Sequence, residues 1–202
     1  MATSIDDLLA QHGTTYAEEV GITLADKPAP LFQLLVLTHL LSANLSSELG
    51  LRAARALRER FRTAHAMAEA TDQERWDVLA ESKYLRKEQT ARQLGELATH
   101  LVEEYDGDLR RLRDRAEGDP RRIGELLEEF AGVGPLGADI FRREAQAAWS
   151  CLRPLLDEGA AAPAERLGLP HTAAGLVRRT GDDDLSVVGA ALVRHDLDGD
   201  DA

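Results

Sequence analysis

Apolar side chains in this sequence recur three and four positions apart, and they do not alternate with polar residues as half-buried strands require. The stretch from Tyr84 to Tyr105 has this helical spacing and is predicted to form one long amphipathic helix that ends near Asp106-Gly107. Another helix is predicted from Leu49 to Phe61. Capping residues and a first-turn proline indicate two further helix starts, at Thr71-Asp72 and Asp119-Pro120. We therefore expect an all-α protein of about ten helices with no sheet.

The chain is long enough for a substantial core, with 202 residues of which 44% are apolar. Its single cysteine, Cys151, excludes a disulfide scaffold, a multi-cysteine zinc site and a four-cysteine iron–sulfur cluster. The six histidines show no metal-binding spacing, so no metal site is predicted. The most apolar stretch, Leu31 to Leu41, is shorter than the about 20 residues that span a bilayer. No cationic leader opens the sequence, and we expect a cytoplasmic protein, nucleoid-associated in a prokaryote.

The net charge of −12 is unusual for a nucleic-acid-binding protein, which is ordinarily basic. The acidity is concentrated at the ends, because residues 1–30 carry −4 and residues 181–202 carry −6, which leaves −2 for residues 31–180. We expect residues 198–202 to form a disordered acidic tail. In the middle, arginines stand among acidic residues, and mixed charge of this kind is typical of a solvated face. The arginines that flank the glycine-rich segment at 132–134 are Arg121, Arg122, Arg142 and Arg143.

Two glycines bracket a valine between two predicted helices, at Gly132, Val133 and Gly134. The first helix is predicted to end at Phe130, and the second to begin with Pro135 at or near its first position, where proline is well suited. Glycine is needed where φ is positive or where the backbone approaches another group closely. The amides of Gly132, Gly134 and Leu136 could then face an anion such as a DNA phosphate. The alternative is an ordinary tight turn in which the glycines serve geometry alone.

This turn resembles the helix-hairpin-helix of the endonuclease III and adenine glycosylase superfamily of base-excision-repair enzymes. Three other segments resemble the family in the same order along residues 28–180. They are Leu40-Leu41-Ser42-Ala43-Asn44, Ser82-Lys83-Tyr84-Leu85-Arg86-Lys87, and Asp157 followed ten to twelve positions later by Leu167-Gly168-Leu169. Each motif is weakly specific alone, and the four in sequence are much more specific.

The resemblance implies a two-lobed helical fold with duplex DNA across the cleft between the lobes. Residues 28–149 would form one helical lobe, with the helix-hairpin-helix at about 119–149. Residues 1–27 and 150–197 would form the other. The resemblance allows a monovalent cation at the hairpin, and we expect a monomer.

The resemblance also assigns roles to individual residues. Asp157 would be the catalytic carboxylate, stabilising an oxocarbenium-like sugar or activating water as the base–sugar bond breaks. Asn44 would fill the space left by an extruded base, which offsets part of the cost of extrusion. Lys83 and Lys87 would contact DNA, although Lys83 stands where the family often has an apolar wedge, a role that Leu85 could take. The plainer alternatives are that Asp157 caps a helix and that Asn44 ends one.

One departure from the family pattern bears on the reaction. Members that also cut the DNA backbone carry a lysine at one of the two positions after the second glycine. The amine of that lysine attacks the sugar. Here those positions are Pro135 and Leu136, and no lysine follows Lys87. The sequence therefore predicts a monofunctional glycosylase, without lyase activity and without an iron–sulfur cluster.

Two other functions stay open at this stage. The chain could be a DNA-binding module that kept the hairpin and lost the chemistry, which the missing lysine and the acidity favour. It could also be an interaction protein on the same scaffold that binds no DNA, which the charge of −12 favours.

Overall fold

A computed structural model describes residues 4–43 and 45–200 of the chain, with Gly199 and Asp200 described by their backbone alone. This part of the chain forms thirteen α-helices and one short 3-10 turn and contains no strand, as the sequence predicted. No helix in it is long and apolar enough to cross a membrane. The helices are α1 Ile5–His12, α2 Tyr16–Glu19, α3 Pro28–Leu41, α4 Ser47–Arg60, α5 Ala64–Glu69, α6 Asp72–Glu81, α7 Lys87–Tyr105, α8 Leu109–Arg115, α9 Pro120–Leu127, α10 Pro135–Ala145, α11 Glu158–Arg166, α12 Ala173–Thr180 and α13 Ser186–Asp200, with the 3-10 turn at Ser150–Leu152.

Local capping explains most helix starts. Thr71 Oγ1 accepts a hydrogen bond from the amide of Glu74, and the Glu74 carboxylate accepts one from the amide of Thr71, which forms a capping box at the start of α6. Asp119 accepts the amides of Arg121 and Arg122 at the start of α9. The predicted starts at both places are confirmed. The predicted end of α7 is also confirmed, because Asp106 adopts a left-handed conformation with φ of 54°.

Two boundaries differ from the prediction. The long helix begins at Lys87 rather than Tyr84, because Lys83 is in the left-handed region and the buried Tyr84 sits in the turn that follows it. The helix before the hairpin ends at Leu127, and Phe130 lies in the turn beyond it, where its ring is buried.

The apolar side chains form two clusters. The larger one surrounds α3, a helix buried on nearly every side, and gathers side chains from Tyr16 to Leu152. The smaller one packs α1, α11 and α12 against α13. The short helix α2 packs in the larger cluster, although the sequence grouped residues 1–27 with the second lobe. It does so because Glu144 of α10 accepts the amides of Tyr16 and Ala17 and so holds α2 against the larger cluster.

The last helix includes part of the segment, residues 198–202, for which a disordered tail was expected. Helix α13 continues to Asp200, which leaves only residues 201 and 202 of that segment outside the described residues. Its end is held by its own acidic side chains, because Asp196 pairs with Arg166 and Asp198 lies 3.4 Å from His12 Nδ1.

Candidate functional site

The glycine-bracketed turn joins α9 to α10. Gly132 has a φ of +75°, and a side chain there would overlap the imidazole of His39 beneath the turn, so both conformation and space require glycine. Gly134 differs, because it caps α10 in an extended conformation and has no atom within 4 Å of the position a Cβ would take. His39 therefore fills the space beside Gly132, whereas the space beside Gly134 is open to solvent.

The N-terminus of α10 is available to an external acceptor. Gly134 offers no side-chain cap, and Pro135 has no amide hydrogen, so the first amide of the helix is that of Leu136. The side chain of Leu136 is exposed at 57%, whereas Val133 is buried. Of the predicted hairpin residues, Val133 thus serves packing, and Gly134 and Leu136 face outward.

His39 lies in α3, directly under Gly132, and is buried. Burial disfavours the charged imidazolium and lowers the pKa of His39 from 6.5 to about 4. The turn therefore rests on a neutral imidazole at neutral pH.

Leu136 lines a cavity of about 400 Å³ where the two clusters meet. The wall of this interlobe cavity is formed by α10, α13, the start of α11 and the segment that joins α3 to α4. Its apolar lining is Leu41, Leu45, Leu136, Ile140, Val193 and Leu197, and its polar lining is Tyr16, Ser46, Ser47, Asp139, Arg143, Asp157 and Gly159. The hairpin and the candidate acid therefore share one cavity.

Asp157 occupies the wall of this cavity and also caps α11. Its Oδ1 accepts a hydrogen bond from the amide of Ala160 at 3.0 Å. Asp157 therefore caps the helix and lines the cavity at the same time. Its Oδ2 accepts a hydrogen bond from Nη1 of Arg143 at 2.7 Å. The two side chains are 2% and 4% exposed, respectively. The carboxylate is thus held by two donors in one orientation at the edge of the cavity.

Two glycines make room for this ion pair. A Cβ at Gly189 of α13 would lie 2.9 Å from Cδ of Arg143, and one at Gly159 would lie 3.1 Å from Oδ1 of Asp157. Sequence reasoning had grouped Arg143 with exposed basic residues and missed this contact. The signal that could have found it is a glycine in each of two helices, since helical glycine costs stability unless something packs closely there.

Glu144, the neighbour of Arg143 in the sequence, is also buried. Its carboxylate forms hydrogen bonds with backbone amides rather than with Arg143. Its two oxygens accept the amides of Tyr16 and Ala17 at 3.2 and 2.9 Å. Burial raises the pKa of the Glu144 carboxyl above its usual value, with the amide of Ala17 and the charge of Arg143 acting in the opposite direction. Burial likewise raises the pKa of the Tyr16 hydroxyl.

The two upstream segments contact each other, and one of them also contacts α10. The hydroxyl of Tyr84 is 3.5 Å from the carbonyl oxygen of Leu40, which brings the turn at 82–86 against the end of α3. Ser42 Oγ lies 3.3 Å from the position of a Cβ on Gly137, which brings the end of α3 against α10. Asn44 lies outside the described residues, and its role stays a prediction.

The two candidate lysines differ in their surroundings. Lys83 is exposed, with a φ of 61° that few residues other than glycine adopt. Lys87 is half-buried, with its ammonium 5.7 Å from the ring centre of Trp76. Between them, Leu85 is 66% exposed and is the most exposed of the large apolar side chains in the described part of the chain.

Within residues 4–43 and 45–198, no three or more His, Cys, Asp or Glu side chains come together as a metal-binding group.

Comparison with known proteins gives a fold but no family. No family model matches the sequence, and no curated protein matches it. The solved structures that match include a trapped covalent intermediate of endonuclease III with DNA, described as an estranged-adenine complex, with a TM-score of 0.52 and 16% identity over 94% of this chain and 81% of the other. They also include a non-covalent endonuclease III–DNA complex, with a TM-score of 0.54 and 17% identity over 94% of this chain and 80% of the other. The chain has the all-α fold of endonuclease III.

Proposed function

We propose that this chain binds duplex DNA and hydrolyses the bond between deoxyribose and a damaged or mismatched base. One observation carries the proposal: Asp157 lines the same cavity as Leu136, the first residue of the hairpin helix with a free amide. The proposal is supported by the fold, since the two similar structures are endonuclease III–DNA complexes. We further propose that the chain acts as a cytoplasmic monomer.

The first step is to hold the duplex. A phosphate accepts the free amides at the start of α10, where the helix dipole also favours negative charge. Gly134 keeps this approach open, because a side chain is absent where the backbone must come close. Lys83, on the turn beside the end of α3, adds positive charge that faces solvent.

The second step is to extrude the target nucleotide, which costs a few kcal/mol of lost stacking and pairing. An apolar side chain inserted between base steps offsets part of this cost. Leu85 has the required exposure and lies in the turn that packs on the end of α3. The extruded nucleotide then enters the interlobe cavity, whose lining combines aliphatic side chains with polar and charged ones.

The third step is hydrolysis. The bond between C1′ and the base nitrogen breaks with its electron pair going to the base, and a water oxygen bonds to C1′ and releases its proton. The Asp157 carboxylate stabilises the positive charge that develops on the sugar. The reaction uses water rather than an amine, because Pro135 and Leu136 fill the two positions where the family's lysine nucleophile lies. The product is an abasic site in an uncut strand.

Binding without hydrolysis is the second candidate function, and a specific observation favours it. The Asp157 side chain is only 2% exposed, and the guanidinium of Arg143 offsets its charge at 2.7 Å. A carboxylate that is covered and paired in this way stabilises a sugar cation less than a free one does. In this case the cavity would recognise an extruded nucleotide and leave the glycosidic bond intact.

Base release from duplexes that each carry one damaged or mismatched base tests the proposal. Asp157→Asn should abolish release and retain DNA binding, because asparagine still caps a helix. Asp139→Asn is the matched control, since Asp139 also lines the cavity but pairs with Arg142 on the surface of α10. Folding of each variant is checked by thermal denaturation, since Asp157→Asn leaves Arg143 without its carboxylate.

The outcomes separate the candidates. Release lost in Asp157→Asn and kept in Asp139→Asn supports the enzyme. Binding without release across the whole panel supports the second candidate. A protein with no salt-dependent affinity for any duplex at low ionic strength is an interaction protein, because phosphate contacts impose a steep dependence on salt.

A further inference from the structure

Arg143 places a positive charge beside the carboxylate proposed to face the sugar, and this feature has no part in the mechanism above. It belongs to α10, the helix that starts at the hairpin, and it lines the interlobe cavity together with Asp157. Arginine keeps its charge throughout the physiological pH range. The charges nearest the reaction centre are therefore one negative and one positive.

Among the described residues, no carboxylate other than that of Asp157 forms an ion pair with this guanidinium. Glu144 gives both oxygens to the amides of α2, and burial shifts its carboxyl toward the neutral form. Asp139, the remaining acid of the cavity, is paired with Arg142. The cavity thus has no net negative charge to attract a cation.

Arg143 also has unused hydrogen-bonding capacity. The guanidinium has five N–H donors, of which one binds Asp157 through Nη1. Its Nε is buried and has no hydrogen-bond partner among the described residues. Arg143 also lines the interlobe cavity, so the donors that Asp157 leaves unused lie on a side chain beside that cavity.

Whether a nearby guanidinium favours or opposes base release depends on the charge of the base before and after the bond breaks. Uracil, hypoxanthine and 8-oxoguanine are uncharged when attached to the sugar. When the bond to the sugar breaks, each of these bases keeps the electron pair and leaves as an anion. Its negative charge is delocalised over the ring nitrogens and carbonyl oxygens. N7-methylguanine and N3-methyladenine are cationic when attached and leave as neutral molecules. A nearby guanidinium stabilises the first kind of departure and repels the second kind of substrate.

From these contacts we propose that Arg143 determines the substrate class: the cavity takes uncharged bases with carbonyl oxygens that leave as anions, and it rejects cationic alkylated bases. The proposal rests on the function proposed above and makes Arg143 a selectivity residue. The electron pair of the C1′–N bond passes to the base, whose negative charge faces the guanidinium while Asp157 faces the sugar. Water supplies the oxygen to C1′ and, through solvent, the proton that neutralises the departed base.

The test compares two classes of base in one duplex sequence, with each rate divided by the uncatalysed rate for the same duplex. We expect the wild-type protein to accelerate release of at least one uncharged base at least tenfold more than release of either cationic base. Arg143→Gln should shift this ratio at least tenfold toward the cationic bases, and Arg143→Lys should keep the ratio of the wild-type protein. Because each ratio comes from one preparation, partial unfolding of a variant cancels.

Binding supplies a readout that needs no reaction. Two duplexes carry, in place of the target nucleotide, either a neutral tetrahydrofuran abasic analogue or a cationic pyrrolidine analogue. Arg143→Gln should raise the preference for the cationic analogue at least tenfold over that of the wild-type protein, because the Asp157 charge is no longer offset. Asp157→Asn should lower that preference.

Each failure has its own signature. Wild-type protein that prefers cationic bases, or an Arg143→Gln variant with unchanged ratios in both assays, overturns the role of Arg143 and leaves the glycosylase function standing. Absence of release from every duplex overturns the hydrolytic function, and the substrate selection with it. The analogue preferences then show whether the charge of Arg143 still governs which extruded group is bound.

Discussion

The guanidinium of Arg143 donates a hydrogen bond to Asp157 Oδ2 at 2.7 Å, across fourteen positions of the chain. The contact joins α10, which begins at the hairpin, to the N-terminus of α11, which packs on α13. It therefore couples the glycine-bracketed turn to the smaller cluster as well as orienting the candidate acid. Because both side chains are almost completely buried, the pair matters for stability as well as for chemistry.

Removing both partners of this pair should cost less than the sum of removing each one alone. A buried charge left alone carries an uncompensated desolvation penalty, and breaking such pairs costs about 3–5 kcal/mol. We expect Arg143→Met and Asp157→Asn each to lower the free energy of unfolding by about this amount. The double variant should be less destabilised than the sum of the two. Urea denaturation of the four proteins measures the coupling, and additive losses would show that the pair contributes no interaction energy.

The fold was accessible from the sequence because its determinants are local. Caps such as Thr71 and Asp119 act on amides two or three positions away, and apolar spacing records which face of a helix is buried. The boundary at Tyr84 was wrong for the opposite reason. Tyr84 fits the helical spacing, but its burial against the end of α3 is a tertiary contact, and the left-handed Lys83 ends the local pattern.

The candidate site was accessible only in part. A family resemblance pointed to Asp157 and the hairpin, and the structure brings Asp157 and Leu136 to one cavity. The same reasoning could not pair Asp157 with Arg143 or seat α2 on Glu144, because these contacts join residues of different helices. An arginine beside a hairpin has the same sequence signature whether it faces solvent or is buried.

The two hairpin glycines should respond differently to substitution by alanine. Gly132→Ala forces a side chain into a left-handed conformation and against His39, so we expect a loss of about 1–3 kcal/mol in unfolding free energy. Gly134→Ala meets open space at an ordinary φ of −100° and should leave stability within about 0.5 kcal/mol of wild type. The added methyl at position 134 should instead weaken duplex binding, because it occupies the approach to the amides of α10. Thermal denaturation and binding measured on both variants check this, and equal effects on stability would contradict it.

His39 should make stability depend on acidity. Burial lowers the pKa of the folded-state imidazole from 6.5 to about 4, so between these values the unfolded chain binds a proton that the folded protein does not. The stabilisation is complete above the unfolded-state pKa and is lost as the pH falls toward 4, by an amount on the order of 3 kcal/mol. A His39→Leu variant should therefore lose less stability than wild type between pH 7 and pH 4.

The comparison uses urea denaturation at several pH values. His171→Gln, at an exposed histidine, is the matched control and should follow the wild-type curve. Parallel curves for wild type and His39→Leu would show that protonation of His39 does not oppose folding.

Leu85 should contribute to DNA binding without contributing to stability. Its side chain is 66% exposed, so Leu85→Ala removes little buried area and should change the free energy of unfolding by less than about 0.5 kcal/mol. As a wedge, it should support binding of duplexes with an extruded nucleotide, and its loss should weaken that binding several-fold more than binding of intact duplex. Leu24→Ala, at a half-buried leucine that does not line the interlobe cavity, is the control. Equal weakening for both kinds of duplex would argue against insertion of Leu85.

Leu136→Lys should create an activity that the natural sequence lacks. Leu136 is exposed at the start of α10 and lines the cavity that contains Asp157, so a lysine there brings an amine to the proposed position of the sugar. Attack of that amine on C1′ of an abasic site gives a Schiff base, which borohydride reduces to a stable covalent complex with DNA. We expect this complex from Leu136→Lys and none from wild type or from Leu136→Gln, which adds polarity without an amine. Both variants should keep the wild-type melting temperature within a few degrees, since the side chain is exposed. A folded Leu136→Lys that binds abasic DNA yet traps none of it would place the sugar away from the hairpin helix, and a wild-type protein that traps it would show that another amine reaches C1′.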